Sequence, residues 1–252
     1  MDSEMAIDPL TSSVSGGRQP WPLLLNRPFG YSLPPSALVK PRSVPAVLRL
    51  VVHGRSGGEI PACLTDLAAD LALRRGAPVE LEALTADPLP SQPGVEYWLM
   101  PLLLLPGSHV RSDLPAILRR MRAGGSRVTP VPFLGAWSGW WRLLRLWIEA
   151  REGTGQQAVV VHHPLRPGLS ARYLAMLQRE LGCTLVSADT WEAHLREHPS
   201  ACPLPLALAP NRMAESLRQA GGLPSLLDDP QLRSGLITLL SCLLYTSDAA
   251  DE

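Results

Sequence analysis

The feature that most constrains the fold is an internal repeat. The segment Leu48–Leu73 runs through an apolar strand, a histidine, a glycine-rich loop and an amphipathic helix. The segment Ala158–Gly182 repeats that order with a loop rich in proline, and His53 and His162 lie 109 residues apart. Repeats of one supersecondary unit bury their apolar faces against each other. The sequence therefore predicts a duplicated half.

A second pair of segments extends the repeat. Tyr97–Gly125 matches Leu204–Gly222, with an offset of 104 residues from Pro106 to Pro210. In both segments an apolar run ends at a proline and a helix follows. Strands that alternate with helices indicate a largely parallel sheet. We expect an α/β fold of two tandem, duplicated lobes, each with a mostly parallel sheet flanked by helices.

Composition sets the expected boundaries of these lobes. Residues 1–45 are rich in Pro, Ser and Gly without a clear period, which predicts a disordered extension. The first lobe is expected at 46–152, with the active site. A degenerate second lobe, truncated near its end, is expected at 156–241. Residues 242–252, CLLYTSDAADE, resemble the translation of a sequencing adapter, and we expect them to be a non-native tail.

Hydrophobic periodicity locates the elements of the first lobe. Strands are predicted at Leu48–His53, Val79–Leu84 and Val95–Leu105, with an edge strand at the proline-containing Arg127–Leu134. Helices are predicted at Ile60–Leu73, Arg111–Arg122 and Trp137–Ala150. The last helix carries a stripe of tryptophans. Such a stripe is more typical of core or of a lobe interface than of a surface that contacts a ligand.

Two histidines follow predicted strands. His53 ends the first strand, and His109 follows the third after a Pro-Gly pair. Sites in parallel sheets form at the carboxyl ends of strands, so both imidazoles are expected in one crevice. A structural role for each is the alternative. Neutral imidazoles suit a borderline ion such as Co²⁺, Fe²⁺, Ni²⁺ or Zn²⁺. Two ligands leave coordination positions open, and imidazole also accepts protons near neutral pH.

The segments around these histidines carry a family resemblance. VVHGRSGG (Val51–Gly58) and PLLLLPGSHVRSDLPAIL (Pro101–Leu118) resemble the two signature segments of the sirohydrochlorin chelatases, the small class II cobalt- and ferrochelatases of the CbiX type. The resemblance implies insertion of Co²⁺ or Fe²⁺ into sirohydrochlorin, on the path to cobalamin or sirohaem. It implies that His53 and His109 bind the metal and accept pyrrole protons. The divalent metal is then a substrate, and no organic cofactor is implied.

The implied tetrapyrrole carries eight carboxylates, which arginine forks bind well. Arg55 and Arg111 flank the two histidines and are predicted to contact it. The alternative for each is an ordinary solvated loop arginine. Ser56, Gly107 and Ser108 complete the predicted substrate-binding set.

Three departures from the family pattern are visible. The usual His-Gly-Ser becomes His53-Gly54-Arg55. The family's third metal-binding group, a Glu at the end of the second strand, is replaced by Leu84 or Thr85. Glu82 is the nearest carboxylate; it is either a substitute ligand or part of a solvated strand face. Between the second and third strands only Ala86–Gly94 is available for the family's helix, so one wall of the usual pocket is expected to be missing.

Other functions remain open at this point. A non-catalytic carrier of a metal or tetrapyrrole would keep the same fold and need fewer ligands. A Ser-His-Asp hydrolase would use Ser108, His109 and Asp113, but Ser108 does not lie in a G-x-S-x-G elbow. His162 and His163 form either a second metal site or a relic of the duplication.

Charge and targeting signals exclude further classes. The 23 basic and 23 acidic residues balance, which argues against nucleic-acid binding. No apolar run approaches the roughly 18 residues of a membrane span. The first ten residues carry no basic region that would indicate a secretory signal. The four cysteines form no CxxC pair. These features predict a cytoplasmic protein that contacts neither nucleic acid nor membrane.

Overall fold

A computed structural model describes residues 45–152, 157–165 and 169–242. The predicted extension and most of the predicted tail lie outside these residues. The first lobe contains, in chain order, β1 (Val47–Val52), α1 (Ala62–Arg75), β2 (Val79–Ala83), β3 (Glu96–Pro101), α2 (Leu114–Ala123), β4 (Arg127–Pro130) and α3 (Ser138–Glu152). Its sheet has the order β2-β1-β3-β4, and every pair is parallel. The proline-containing β4 lies at an edge, as predicted.

The second lobe repeats this arrangement with one strand fewer among the described residues. It contains β5 (Gln157–His162), α4 (Leu169–Leu181), β6 (Thr184–Ser187), α5 (Trp191–Glu197), β7 (Ala201–Pro205), α6 (Arg212–Gln219) and α7 (Pro230–Ser241). The strand order is β6-β5-β7, again parallel. The predicted α/β fold with two parallel sheets is confirmed. In the described ranges, no helix is long and apolar enough to cross a membrane.

The strand registers define how the two lobes correspond. Val51 in β1 pairs with Pro101 in β3, and Val161 in β5 pairs with Pro205 in β7. The carbonyl of each valine also accepts a hydrogen bond from the residue that follows its paired proline, at 2.8 Å in both lobes. The first strands are therefore offset by 110 residues, whereas the third strands keep the predicted offset of 104.

This register corrects one correspondence. His53 is equivalent to His163, and His162 is equivalent to the buried Val52. The prediction that His162 matches His53 is wrong by one residue, because adjacent histidines leave the register undetermined in the sequence. The offset of the third strands places Met213 opposite His109, so the second lobe lacks a counterpart of that histidine.

One hydrophobic core lies between the two lobes. The residues of β1 that alternate with Arg49 and Val51 face this core, together with Val160 of β5. The tryptophan stripe of α3 is buried there, since Trp137, Trp140, Trp141 and Trp147 belong to the same cluster. A buried aromatic side chain removes about 150–250 Å² from water. The stripe therefore joins the lobes and does not form a surface for a tetrapyrrole.

The opposite face of the first sheet contains a buried arginine. Arg49 in β1 is 0% exposed, and its five N–H groups all have acceptors. Two donate to Glu80 at 3.0 and 2.7 Å and one to Glu82 at 3.3 Å. The other two donate to the carbonyls of Leu89 and Pro90 at 3.1 and 2.8 Å. A buried charge is tolerated only when it is paired and hydrogen-bonded in this way.

Arg49 thus fastens the segment that connects β2 to β3. Residues 84–95 contain no helix, as the sequence predicts, whereas the second lobe has α5 at the equivalent position. The carbonyls of Leu89 and Pro90 hold the loop against the sheet through the guanidinium, which also lies 4.8 Å from the centroid of the Tyr97 ring. A buried ion-pair cluster therefore covers part of the face that a helix covers in the second lobe.

Candidate metal centre

The structure brings the two strand-end histidines together. His53 follows β1, and His109 opens a single π-helical turn, His109–Asp113, after the loop that leaves β3. The ring centroids are 4.9 Å apart, and the ring planes are nearly perpendicular at 87°. With metal–nitrogen bonds of about 2.1 Å, two imidazoles at about 90–110° around one ion have centroids about 4.5–5.3 Å apart. The observed separation lies inside that range.

Asp113 orients His109. Nδ1 of His109 lies 2.6 Å from Oδ2 of Asp113, and because a carboxylate accepts, Nδ1 carries the proton. The lone pair of the neutral ring is therefore on Nε2. The π turn produces this contact by placing the two residues on one face, and the amide of Leu114 donates to the carbonyl of His109. Carboxylate–histidine pairs of this kind fix the ring and increase its basicity as a metal ligand.

The backbone orients His53 in a similar way. Nδ1 donates to the carbonyl of Gly54 at 2.9 Å, so Nε2 again carries the free lone pair. Gly54 has a φ of +77°, which favours glycine. A Cβ there would lie 2.5 Å from Oγ1 of Thr85 and 2.8 Å from Cβ of Ala83. The sequence His53-Gly54 is therefore needed for the chain to turn at the strand end with this imidazole exposed.

Thr85, with Leu84, is one of the two residues at the position where the resemblance implies a glutamate. Its hydroxyl lies 3.2 Å from the carbonyl of His53 and 2.7 Å from that of Arg55, and donates to them. Thr85 therefore holds the backbone of the histidine loop and supplies no carboxylate.

Glu82 has other partners. It is 4% exposed, and Arg49 and Arg120 bind its two carboxylate oxygens. The alternative of a solvated strand face is also wrong for Glu82, because the side chain is buried in an ion-pair cluster. Across residues 45–152, 157–165 and 169–242, no group of three or more His, Cys, Asp or Glu side chains is arranged to hold a metal ion. The centre therefore consists of two imidazoles, and the structure does not add Glu82 to them.

The predicted substrate arginines differ in their contacts. Arg55 lies 3.4 Å from Glu59 and 3.3 Å from Glu215 of α6, so it links the first lobe to the second. Both pairs are exposed, and such pairs contribute little stability. Arg111, on the π turn beside His109, is exposed and forms no ion pair with another described residue. Both guanidinium groups are accessible to an anionic ligand.

The remaining predicted residues lie in the same two loops. Ser56 opens a short 3-10 turn, Ser56–Gly58, and is exposed. The amide of Gly107 donates to the carbonyl of Leu105 at 2.8 Å, and Ser108 is exposed before the π turn. No hydrogen bond joins Ser108 to His109 in the described part of the chain. The hydrolase alternative therefore lacks its nucleophile–base contact.

The second lobe contributes one histidine near this centre. Partial desolvation of the ring, then the neighbouring charges of His53 and His162, lower the pKa of His163. The equivalent strand ends of the two lobes are therefore close enough for these rings to influence each other. His162 is buried, and its Nδ1 donates to the carbonyl of His163 at 2.8 Å. The strand register identifies His163 as the counterpart of His53. The sequence alone does not, because His162 and His163 are adjacent and both fit the end of the strand.

Tyr173 joins the second lobe to the loops of the first. Its hydroxyl lies 2.7 Å from the carbonyl of Leu104 and 2.8 Å from that of Gly135. Leu104 belongs to the apolar run that leads to His109. The position of the histidine loop therefore depends on contacts from both lobes.

Comparison with solved structures identifies proteins of similar fold. The chain resembles CbiX, the terminal enzyme for biosynthesis of siroheme in denitrifying bacteria, with 22% sequence identity and a TM-score of 0.55 over 79% of this chain and 99% of that one. It also matches the sirohydrochlorin chelatase SirB from Bacillus subtilis subspecies spizizenii in complex with cobalt, with 15% identity and a TM-score of 0.49 over 81% and 97% of the two chains. No protein-family model and no curated protein matches the sequence. The likeness to CbiX shows that the two chains share a fold.

Proposed function

We propose that this protein is a chelatase that inserts Co²⁺ or Fe²⁺ into sirohydrochlorin. The observation that carries the proposal is the pair His53 and His109, with ring centroids 4.9 Å apart, on the fold of CbiX. Each ring uses Nδ1 for an internal hydrogen bond, which leaves both Nε2 atoms for one ion. Two nitrogen ligands leave most coordination positions open, as transfer of the ion to a macrocycle requires.

The same imidazoles account for the protons. As M²⁺ enters the macrocycle, two pyrrole N–H bonds break and four nitrogens become bound to the metal. His53 and His109 each lose the metal from Nε2 at this stage, so each accepts one proton and later releases it to water. Asp113 stabilises the imidazolium form of His109 through the 2.6 Å contact. One pair of side chains thus serves as metal ligand and as proton acceptor.

Arg55 and Arg111 bind the carboxylates of the tetrapyrrole in this proposal, with Ser56, Gly107 and Ser108 supplying hydrogen-bond donors. Arg111 has no competing ion pair among the described residues. When the substrate binds, Arg55 breaks its ion pairs with Glu59 and Glu215 and pairs with a carboxylate of the tetrapyrrole. Arg111→Ala is expected to raise KM with little change in kcat. The matched control is Arg119→Ala, which removes an exposed arginine two turns further along α2.

A carrier that binds a metal or tetrapyrrole without insertion is the second candidate. The observation that favours it is that neither Leu84 nor Thr85, the two candidates for the position of the third metal ligand that the resemblance implies, has a carboxylate, and that the Thr85 hydroxyl holds the histidine loop. Two imidazoles alone bind an ion more weakly than a site with three ligands. In both candidates the cytoplasmic location and the tetrapyrrole partner remain predictions.

The test follows the absorbance of free sirohydrochlorin. The purified full chain is mixed anaerobically with sirohydrochlorin and either Co²⁺ or Fe²⁺, beside the His109→Ala variant and a protein-free reaction. The chelatase proposal predicts metal-dependent loss of the free-base spectrum well above the spontaneous rate, and none above it with His109→Ala. If the chain binds the metal or the tetrapyrrole saturably but insertion is no faster than the spontaneous reaction, the carrier proposal replaces the chelatase proposal.

A further inference from the structure

Another pair of histidines lies at the C-terminal end of α5, outside the candidate metal centre: His194 in the helix and His198 directly after it. His194 and His198 are four residues apart, and the amide of His198 donates to the carbonyl of His194 at 2.9 Å. The helix ends there, since His198 has a φ of −130° and a ψ of 74°, and the two side chains meet at its C-terminal end. Their ring centroids are 4.5 Å apart, with an angle of 42° between the ring planes. The same i, i+4 spacing places two zinc-binding imidazoles on the helix of H-E-x-x-H enzymes.

Packing fixes one ring of this pair. His194 lies with its ring centroid 5.8 Å from that of Trp191, which is 5% exposed and belongs to the core of the second lobe. His198, at the end of the helix, is exposed. One imidazole is thus held by the core and the other is free to adjust. Binding of one ion to both therefore costs the rotamer entropy of only one side chain.

Neither imidazole has a hydrogen-bond partner in the described part of the chain. By contrast, His53, His109 and His162 each use Nδ1 for an internal hydrogen bond. Two adjacent rings with unused nitrogens, and no carboxylate bound to them, are available as ligands. Their centroid separation is at the lower end of the range of about 4.5–5.3 Å that one ion requires for metal–nitrogen bonds of about 2.1 Å.

The topology places His194 and His198 at the opposite edge of the second sheet from the strand ends that carry His162 and His163. The helix α5 leaves the carboxyl end of β6 and returns toward the beginning of β7 at Ala201. His198 therefore lies at the amino edge of the second sheet, whereas His162 and His163 lie at its carboxyl edge. Binding at one place does not require the other, and the two pairs can be tested independently.

We propose that His194 and His198 bind one divalent late first-row transition ion, with water in the remaining positions. Imidazole nitrogens favour Cu²⁺, Ni²⁺, Zn²⁺ and Co²⁺, whereas Mg²⁺ and Ca²⁺ prefer oxygen ligands. The half-open, exposed coordination makes the ion exchangeable. The chain then holds a transition ion at a position separate from His53 and His109, and this inference does not depend on the proposed insertion activity.

The first test is Ni²⁺ titration calorimetry on the full chain carrying His53→Ala and His109→Ala. One Ni²⁺ is expected to bind, and adding His198→Ala is expected to weaken that binding at least tenfold. The matched control adds Arg196→His to the His198→Ala protein. This restores the number of histidines but places them two residues apart on different faces, so binding is not recovered. Equal affinity before and after His198→Ala overturns the proposal.

A second measurement keeps His53 and His109 and uses only single variants, so it does not depend on the folding of the triple variant. Cu²⁺ bound beside His194 quenches the fluorescence of Trp191. Trp191→Phe removes the part of the Cu²⁺-dependent quenching that comes from Trp191. The same part is expected to disappear in His198→Ala, and Mg²⁺ is expected to cause no quenching. Quenching of Trp191 that persists undiminished in His198→Ala contradicts the assignment.

Discussion

Nδ1 of His109 and Oδ2 of Asp113 are 2.6 Å apart across one π-helical turn. This contact fixes the tautomer of the imidazole, so the lone pair of the neutral ring is on Nε2. Single-turn π segments recur at functional sites, because they place side chains where a regular helix does not. In the proposed function this relationship makes Asp113 a positioning residue, which would act on the metal through His109.

Asp113→Asn is expected to weaken metal binding at the histidine pair by about 10–100-fold, because the amide no longer stabilises the Nδ1–H form with a charge. Insertion is expected to slow by a comparable factor. The measurement is Co²⁺ affinity by visible absorption together with the insertion rate. Asp66→Asn, an exposed aspartate of α1, is the matched control. Unchanged Co²⁺ affinity in Asp113→Asn would remove the positioning role.

Gly54 and Gly57 offer a matched pair of substitutions in one loop. Both have a positive φ, +77° and +81°, but a Cβ at Gly57 meets nothing within 4 Å. Gly57→Ala therefore carries only the backbone strain, about 1 kcal/mol. Gly54→Ala adds a clash with Thr85 and is expected to cost about 1–3 kcal/mol more. Urea unfolding measures the difference; equal costs for both variants would show that the contact with Thr85 relaxes freely.

The buried position of Arg49 predicts a large loss of stability on substitution. Arg49→Met leaves Glu82 buried with one partner fewer and releases the carbonyls of Leu89 and Pro90. Breaking a buried pair of this kind typically costs about 3–5 kcal/mol. The control, Arg145→Met, breaks the exposed pair of Arg145 with Glu149 and is expected to leave the unfolding midpoint almost unchanged. Similar unfolding midpoints for the two variants would contradict the anchoring role of Arg49.

His163 predicts a pH dependence of stability. The residue is exposed, but partial desolvation of its ring, then the charges of His53 and His162, lower its pKa in the folded protein, so below about pH 6.5 the unfolded chain binds a proton more readily than the folded one. The contribution of the neutral His163 ring to the free energy of unfolding is present above that pH, and it is lost as the pH falls through the lowered pKa. Metal-free His163→Gln is expected to lose less stability than the unaltered protein between pH 7.5 and pH 5. Identical losses, measured by urea unfolding, would contradict this.

The fold and the meeting of two histidines could be predicted from the sequence. The alternation of strands and helices defines parallel sheets, and the carboxyl ends of parallel strands share an edge. His53 and His109 both follow such strands, so their approach to each other needs no knowledge of side-chain packing. The tryptophans of α3 were likewise predictable as core from their helical spacing.

The partners of charged residues could not be predicted. Arg49 stands inside an otherwise apolar strand, and its acceptors are 31–41 residues away in the chain. The role of Glu82 depends on those partners and on Arg120, which a local pattern does not reveal. The one-residue shift between His162 and His163 also required the ladder register, because both residues fit the end of the same strand.

The central claim is that His53 and His109 act on the same metal ion. The most direct measurement is the insertion rate of four proteins: the unaltered chain, His53→Ala, His109→Ala and the double variant. Residues that act as one unit give strongly non-additive effects. We expect each single variant to lose nearly all activity and the double variant to be no slower than either. Independent, multiplicative losses, or a single variant that inserts metal at the full rate, would contradict a shared site.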